Sequence, residues 1–388
     1  MGGQLFCSGP NALNVPRLAP DLYQKLKAQY TDLLRQYYSK VTTPVEAPGK
    51  ASHGDIDMMV ASPLHDLAPP TLAAILDAAR HSTSGPTTSF AVPHPEDPTG
   101  HVQLDVHVCV PEHLAWEAFE HSYGDLWQII GVCIRPLGLT TTNKGFFLRI
   151  PELEHTDRKG SLIFLTEEPS EALQFLGLDA AAYETGFATE EDLFAWIVDA
   201  GFFGVEELST RDNAKDRQRR AKREMFVRFV DEFVGARMGQ LRVSPGPEWT
   251  RDAVLARGLE RFGRREEYDT KMAGFFKHEK EKAFWAKAAR MVPVDEGEKL
   301  NLVMRGLKRW VSFEQDEAVI NAEADMSDDP VSKWANAIDD IGEEKLLAWI
   351  EDNWEEVRTK EKSRVKRAKM ERAEVRGLTR SGEVKSED

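Results

Sequence analysis

Three aspartates, Asp55, Asp57 and Asp105, have the types and spacing that divalent-metal chemistry requires. In "GKASHGDIDMMV" the two acids alternate with Ile56 and Met58. Side chains on an extended strand point to opposite faces in turn, so both carboxylates share one face, roughly 7 Å apart along the strand. Both can therefore ligate a pair of divalent ions held roughly 3.5 to 4 Å apart. In "HVQLDVHVCV", Val102, Leu104, Val106 and Val108 form an apolar face, and His101, Gln103, Asp105 and His107 occupy the other. A mid-strand aspartate works against β-propensity and, when buried, needs cations or hydrogen bonds to offset several kcal/mol of desolvation. If the two strands are neighbours, three carboxylates converge, and such an all-oxygen set suits Mg²⁺ (or Mn²⁺). An ion pair of this kind lowers the pKa of an attacking hydroxyl and holds the oxygens of an in-line phosphoryl displacement.

The elements around these residues imply an α+β domain. "DLYQKLKAQYTDLLRQYYSKV" spaces its apolar residues by three and four, which predicts a helix with Asp21 as N-cap. "DIDMMVA" is too short for a helix and reads as a buried strand, and "PPTLAAILDAARHS" as a helix with proline at its start. "SFAVPHP" and "HVQLDVHVCV", separated by "EDPTG", form a hairpin. Helices over 111–122 and 125–134 and a strand at "KGFFLRI" complete a domain over 21–165. Residues 1–20 are rich in Gly, Pro and Asn and read as a flexible arm; 166–354 repeat amphipathic helical patterns without strand signals. From 355 the alternating charges predict a solvated helix that frays into a disordered tail.

Gly-Asp-hydrophobic-Asp on one strand, behind a small-residue loop and followed by a hydrophobic-Asp-hydrophobic strand, resembles the DNA polymerase beta-like nucleotidyltransferase superfamily. The resemblance covers residues 21–165. It implies a mixed sheet flanked by helices, followed by a helical domain, with Asp55, Asp57 and Asp105 as the catalytic, metal-binding carboxylates. The implied activity is Mg²⁺-dependent transfer of a nucleoside monophosphate from an NTP to a hydroxyl acceptor. The Gly-Ser pair that many members carry upstream is absent from "TTPVEAPGKASHG", where Pro44 and Val45 stand. Lys50 and Ser52 are then the candidates to hold the triphosphate, together with loop amides. The alternative is a catalytically inactive scaffold or nucleotide sensor built on the same fold.

The remaining composition narrows the partners. The 388 residues carry a net charge of −15, which disfavours coating of nucleic acid by the whole surface. A local cluster, Arg217, Arg219, Arg220, Lys222 and Arg223, is a candidate nucleic-acid contact. Cys7, Cys109 and Cys133 form no CxxC pair, so neither a disulfide framework nor a thiolate zinc site is expected, and Cys109 and Cys133 read as inert core residues. His53 reads as a loop residue, and His101 and His107 as parts of a polar strand face. No window approaches a membrane span, which points to an intracellular protein, cytoplasmic or nuclear if Arg364, Lys366, Arg367 and Lys369 act as an import signal.

Overall fold

Prolines 20 and 69 start the first two helices, because a residue without an N–H belongs where no intrahelical bond is available. The computed structural model describes residues 3–209, 223–294, 297–326 and 333–382. The chain forms two compact units, Met1–Tyr268 and Asp269–Asp388.

In the first unit, a five-stranded mixed sheet runs in the order β1-β2-β5-β4-β3. Its strands are β1 (Tyr38–Thr42), β2 (Asp55–Pro63), β3 (Arg80–Ser84), β4 (Thr87–His94) and β5 (Asp97–Val108). Only the β2–β5 pairing is parallel. Ile56, Met58 and Val60 of β2 and Val102, Leu104 and Val106 of β5 are buried in one core with α1 (Pro20–Leu34) and α2 (Pro69–Ile75). The opposite face packs Met59 and Ala61 against Cys109 and against Leu114 of α3 (Leu114–Glu120). Helix α4 (Leu126–Ile134) and an antiparallel sheet of β6 (Leu139–Thr142), β7 (Gly145–Arg149) and β8 (Leu162–Thr166) follow.

The α+β class, the mixed sheet and the helical C-terminal region are therefore present. Several boundaries differ from those the sequence suggested. Pro20 sits at N1 behind Ala19, so Asp21 falls in the first turn and caps nothing. "ARHS" leaves the α2 pattern to become β3, because Arg80–Ser84 finds backbone partners along β4. Residues 3–18 are a docked segment: Phe6 and Leu18 are buried, Leu18 pairs with His53, and Asn14 with Gly100. The first compact unit extends past 165, since α5 (Pro169–Leu176) turns Phe175 onto Phe146 of β7.

Among its described residues the second unit is helical apart from a hairpin, Val311–Glu314 with Glu317–Ile320, where the helical pattern of "RGLKRWV" stops at Trp310. Helix Glu343–Gly382 runs straight through the boundary expected at 354, because Trp354, Val357 and Glu361 are buried in the second core. Glu361 receives a two-point contact from Arg364 at 2.8 Å, lies 3.5 Å from Arg309, and accepts the Trp310 indole N–H. Arg364 is thus occupied within the fold.

Candidate active site

The apolar residues of β2 and β5 anchor one face of the sheet, which leaves the alternate positions of both strands side by side on the other. In the parallel register Asp57 stands directly opposite Asp105, and Asp55 opposite Gln103. Adjacent strands lie about 4.8 Å apart, so the three carboxylates occupy one small patch. Among the described residues no Lys or Arg forms an ion pair with Asp55, Asp57 or Asp105. Asp57 keeps a face open to water, yet the burial around it pushes its carboxyl up to about 7, with the charges of Asp55, Asp105 and Glu46 adding to the shift. Burial also raises Asp105, against hydrogen bonds from Ser89 and Gln103 that favour its ionised form.

Gln103, buried within the sheet, holds Asp105 in place. Its amide lies 3.1 Å from each carboxylate oxygen, and its carbonyl accepts the N–H of Leu5 at 3.2 Å. That contact exists because Gly3 lies directly against Gly54: a Cβ at Gly3 would stand 1.9 Å from the Gly54 carbonyl oxygen, and φ there is +80°. The docked N-terminal segment thereby reaches the strand that carries Asp105.

A cleft of about 1010 Å³ opens at the start of β2 and is lined by the Gly49–Gly54 loop and Asp55. Lys50 and Ser52 both line it, as the sequence implied; Asp57 and Asp105 are outside its lining. Lys50 bonds Glu46 at 2.8 Å, and Ser52 accepts from Arg17 through both Oγ and its carbonyl, each at 2.8 Å. Across the cleft, Arg223 bonds Asp125 at 2.7 Å and Arg228 clamps Glu190 at 2.7 and 2.8 Å. Arg17, Lys50, Arg223 and Arg228 are the basic residues of the lining, matched by four carboxylates. Of the basic cluster seen in the sequence, Arg223 reaches the cleft; Arg217, Arg219, Arg220 and Lys222 lie outside the described residues.

Beneath the loop, His53 is buried and stacks on Tyr23 with ring centroids 3.7 Å apart. Tyr23 donates to Glu46. Burial alone would raise Glu46, but hydrogen bonds from Lys50 and Tyr23 prevail and hold its carboxyl below the usual range. Burial lowers His53, which favours the neutral ring. This network fixes the loop that enters β2. Glu46, Gln103, Gly3 and Arg228 were not singled out by the sequence: Gln103 was visible only as a polar alternate, and nothing about Gly3 foretells its contact with Gly54. No protein-family model and no curated protein matches the chain. Among the described residues no helix is long and apolar enough to cross a membrane.

Proposed function

We propose that the chain is a divalent-ion-dependent nucleotidyltransferase of the DNA polymerase beta-like type, moving a nucleoside monophosphate from an NTP to a hydroxyl acceptor. The observation that carries this reading is the pairing of Asp57 with Asp105 across the parallel β2–β5 ladder, with Asp55 on the same face. The donor set fits Mg²⁺ or Mn²⁺: it is all oxygen, burial and then the charges of its members raise the pKa of Asp57 against the opposing charge of Lys50, and among the described residues no cationic side chain forms an ion pair with it. Asp55, Asp57 and Asp105 would hold the metal, which when bound neutralises the phosphoryl oxygens and favours the alkoxide of the acceptor.

The chain's own residues supply the remainder. Asp105, oriented by Gln103 and Ser89, receives the acceptor proton. The acceptor oxygen bonds to the α-phosphorus as the bond to the bridging oxygen breaks, and pyrophosphate leaves. Lys50 and Ser52 steady the triphosphate, Lys50 by exchanging Glu46 for a phosphate oxygen. Arg223, at the cleft, is the described member of the cluster proposed to contact nucleic acid. Incorporation from each labelled NTP with Mg²⁺ or Mn²⁺ tests the reading: Asp57→Ala and Asp105→Ala should each abolish it. Activity that survives both changes sinks the assignment.

A second reading, a nucleotide sensor without turnover, is favoured by one observation: Lys50 and Ser52 already have intramolecular partners, in a chain that lacks the upstream Gly-Ser. Calorimetric titration with Mg²⁺-NTP, followed by product analysis, separates the two.

A further inference from the structure

A second group of donor atoms stands at the C-terminal end of β5, beginning two residues beyond Asp105 on the same face of the strand. A ring nitrogen of His107, the sulfur of Cys109 and a carboxylate oxygen of Glu117 all lie within 4.8 Å of one another. His107 and Cys109 are two residues apart and project to the same face of the extended chain. Glu117 comes from α3, and His121 follows it by four residues on the same helical face. The His121 ring centroid is 6.1 Å from that of His107. We propose that His107, Cys109, Glu117 and His121 form a zinc-binding site: His107 at the end of β5 with Cys109 just past it, and Glu117 of α3 with His121 at the helix C-cap.

The local chemistry supports zinc in several ways. Tetrahedral zinc holds its N, O and S ligands about 3.3 to 3.8 Å apart, so around an ion the most distant of the three donors would close by up to about 1 Å, while His107 Nε2 and Glu117, now at 2.9 Å, would open slightly. His107 Nδ1 lies 2.7 Å from Thr87 Oγ1, the kind of outer contact that fixes a ligand imidazole, while Nε2 faces Glu117 at 2.9 Å. Cys109 and Glu117 are 5% and 2% exposed, so water competes little. The only ion-pair partner of this buried carboxylate among the described residues is His107. A thiolate with imidazoles and a single carboxylate suits zinc and not Mg²⁺, which prefers the all-oxygen set of Asp55, Asp57 and Asp105. Burial and the neighbouring Glu117 raise the Cys109 thiol to about 12, so zinc uptake must release its proton and weakens as pH falls. The site was hidden in the sequence because it would take a single cysteine and no CxxC pair; the pattern is His-x-Cys across a strand end and Glu-x-x-x-His across a helix end. Bound zinc would staple α3 to the end of the strand that carries Asp105.

The inference stands independently of the proposed transferase activity. The full chain, expressed with added zinc and purified without chelator, should retain about one zinc per molecule by mass spectrometry. Chelator-stripped protein loaded with Co²⁺ should show a thiolate-to-cobalt charge-transfer band. Cys109→Ser should abolish that band, and Cys7→Ser and Cys133→Ser should retain it. His121→Ala, at an exposed position, should keep the wild-type circular dichroism and bind zinc about ten-fold or more weakly. Asp57→Ala should keep its zinc, which separates this site from the carboxylate patch. Folded wild-type protein with neither retained zinc nor a charge-transfer band overturns the proposal. So does zinc affinity unchanged in His121→Ala, a result that decides the matter even if Cys109→Ser fails to fold.

Discussion

Gln103 donates its side-chain amide to both carboxylate oxygens of Asp105, at 3.1 Å each, while accepting the backbone N–H of Leu5. The proposed metal ligand is thus fixed by a neighbour two residues away on the same face, itself braced by the N-terminal segment. Gln103→Leu removes this brace but keeps the side chain's bulk. We expect Mn²⁺ affinity, measured by calorimetry, to fall about 10- to 100-fold with the circular dichroism unchanged. Wild-type affinity in that variant would show that Asp105 needs no such support.

Gly3 offers a controlled test of the docked segment. Gly3 and Gly9 both have positive φ, +80° and +88°, but a Cβ at Gly9 meets nothing within 4 Å, whereas one at Gly3 meets the Gly54 carbonyl. Gly9→Ala therefore measures the backbone strain alone, and Gly3→Ala adds a clash with backbone that cannot yield cheaply. Hydrogen exchange at Leu5 should quicken in Gly3→Ala and not in Gly9→Ala, with Mn²⁺ affinity lowered in the first variant only. Equal behaviour of the two would mean that the segment does not support the site.

Asp57→Asn should separate stability from function. In metal-free protein Asp57 is crowded by Asp55 and Asp105, and removing one charge relieves that repulsion. The melting temperature without divalent ions should rise by a few degrees, while the stabilisation that wild type gains from added Mn²⁺ should vanish. A fall in the metal-free melting temperature contradicts the crowding.

Glu361 governs acid stability in the second unit. Burial would raise its carboxyl, yet hydrogen bonds from Arg364 and Trp310 and the charges of Arg364 and Arg309 hold it below the ordinary range. With the folded pKa depressed, the stabilisation is present above the unfolded value of about 4.3 and is lost as pH falls through the folded one. Glu361→Gln should cost about 1 to 2 kcal/mol at pH 7, since the charge on the acceptor is lost while the partly exposed arginines can still be hydrated. The gap from wild type, followed by urea unfolding, should close below about pH 4. A gap independent of pH would assign the loss to packing.

Much of the carboxylate patch was legible because strand alternation is a local rule: once Ile56 and Met58, and Val102 to Val108, are assigned inward, Asp55, Asp57 and Asp105 must face the other way. That the two strands are neighbours was an assumption; the backbone pairing supplies it, together with the parallel register that sets Asp57 opposite Asp105. What escaped depended on distant partners. β3 carries no apolar periodicity, and only β4 makes it a strand. Helix α1 and the loop at His53 meet through Tyr23 and Glu46, a contact between residues 23 apart that no spacing rule encodes. Cys109 is buried beside Met59 and Ala61 as its apolar pattern suggested, but the nearness of Glu117 could not be read because that residue belongs to another element.

The paired charges of the cleft bear on how any anion enters it. Lys50, Arg223 and Arg228 are each held by a carboxylate, and Arg17 by Ser52. An incoming phosphate does not meet free cations trailing condensed salt; it must trade places with Glu46, Asp125 or Glu190. Few ions are released to bulk in such an exchange, so affinity should depend on ionic strength far less steeply than four basic residues suggest. Selectivity then comes from how well the ligand's geometry outbids a carboxylate already in position, which favours bidentate phosphate over diffuse negative charge.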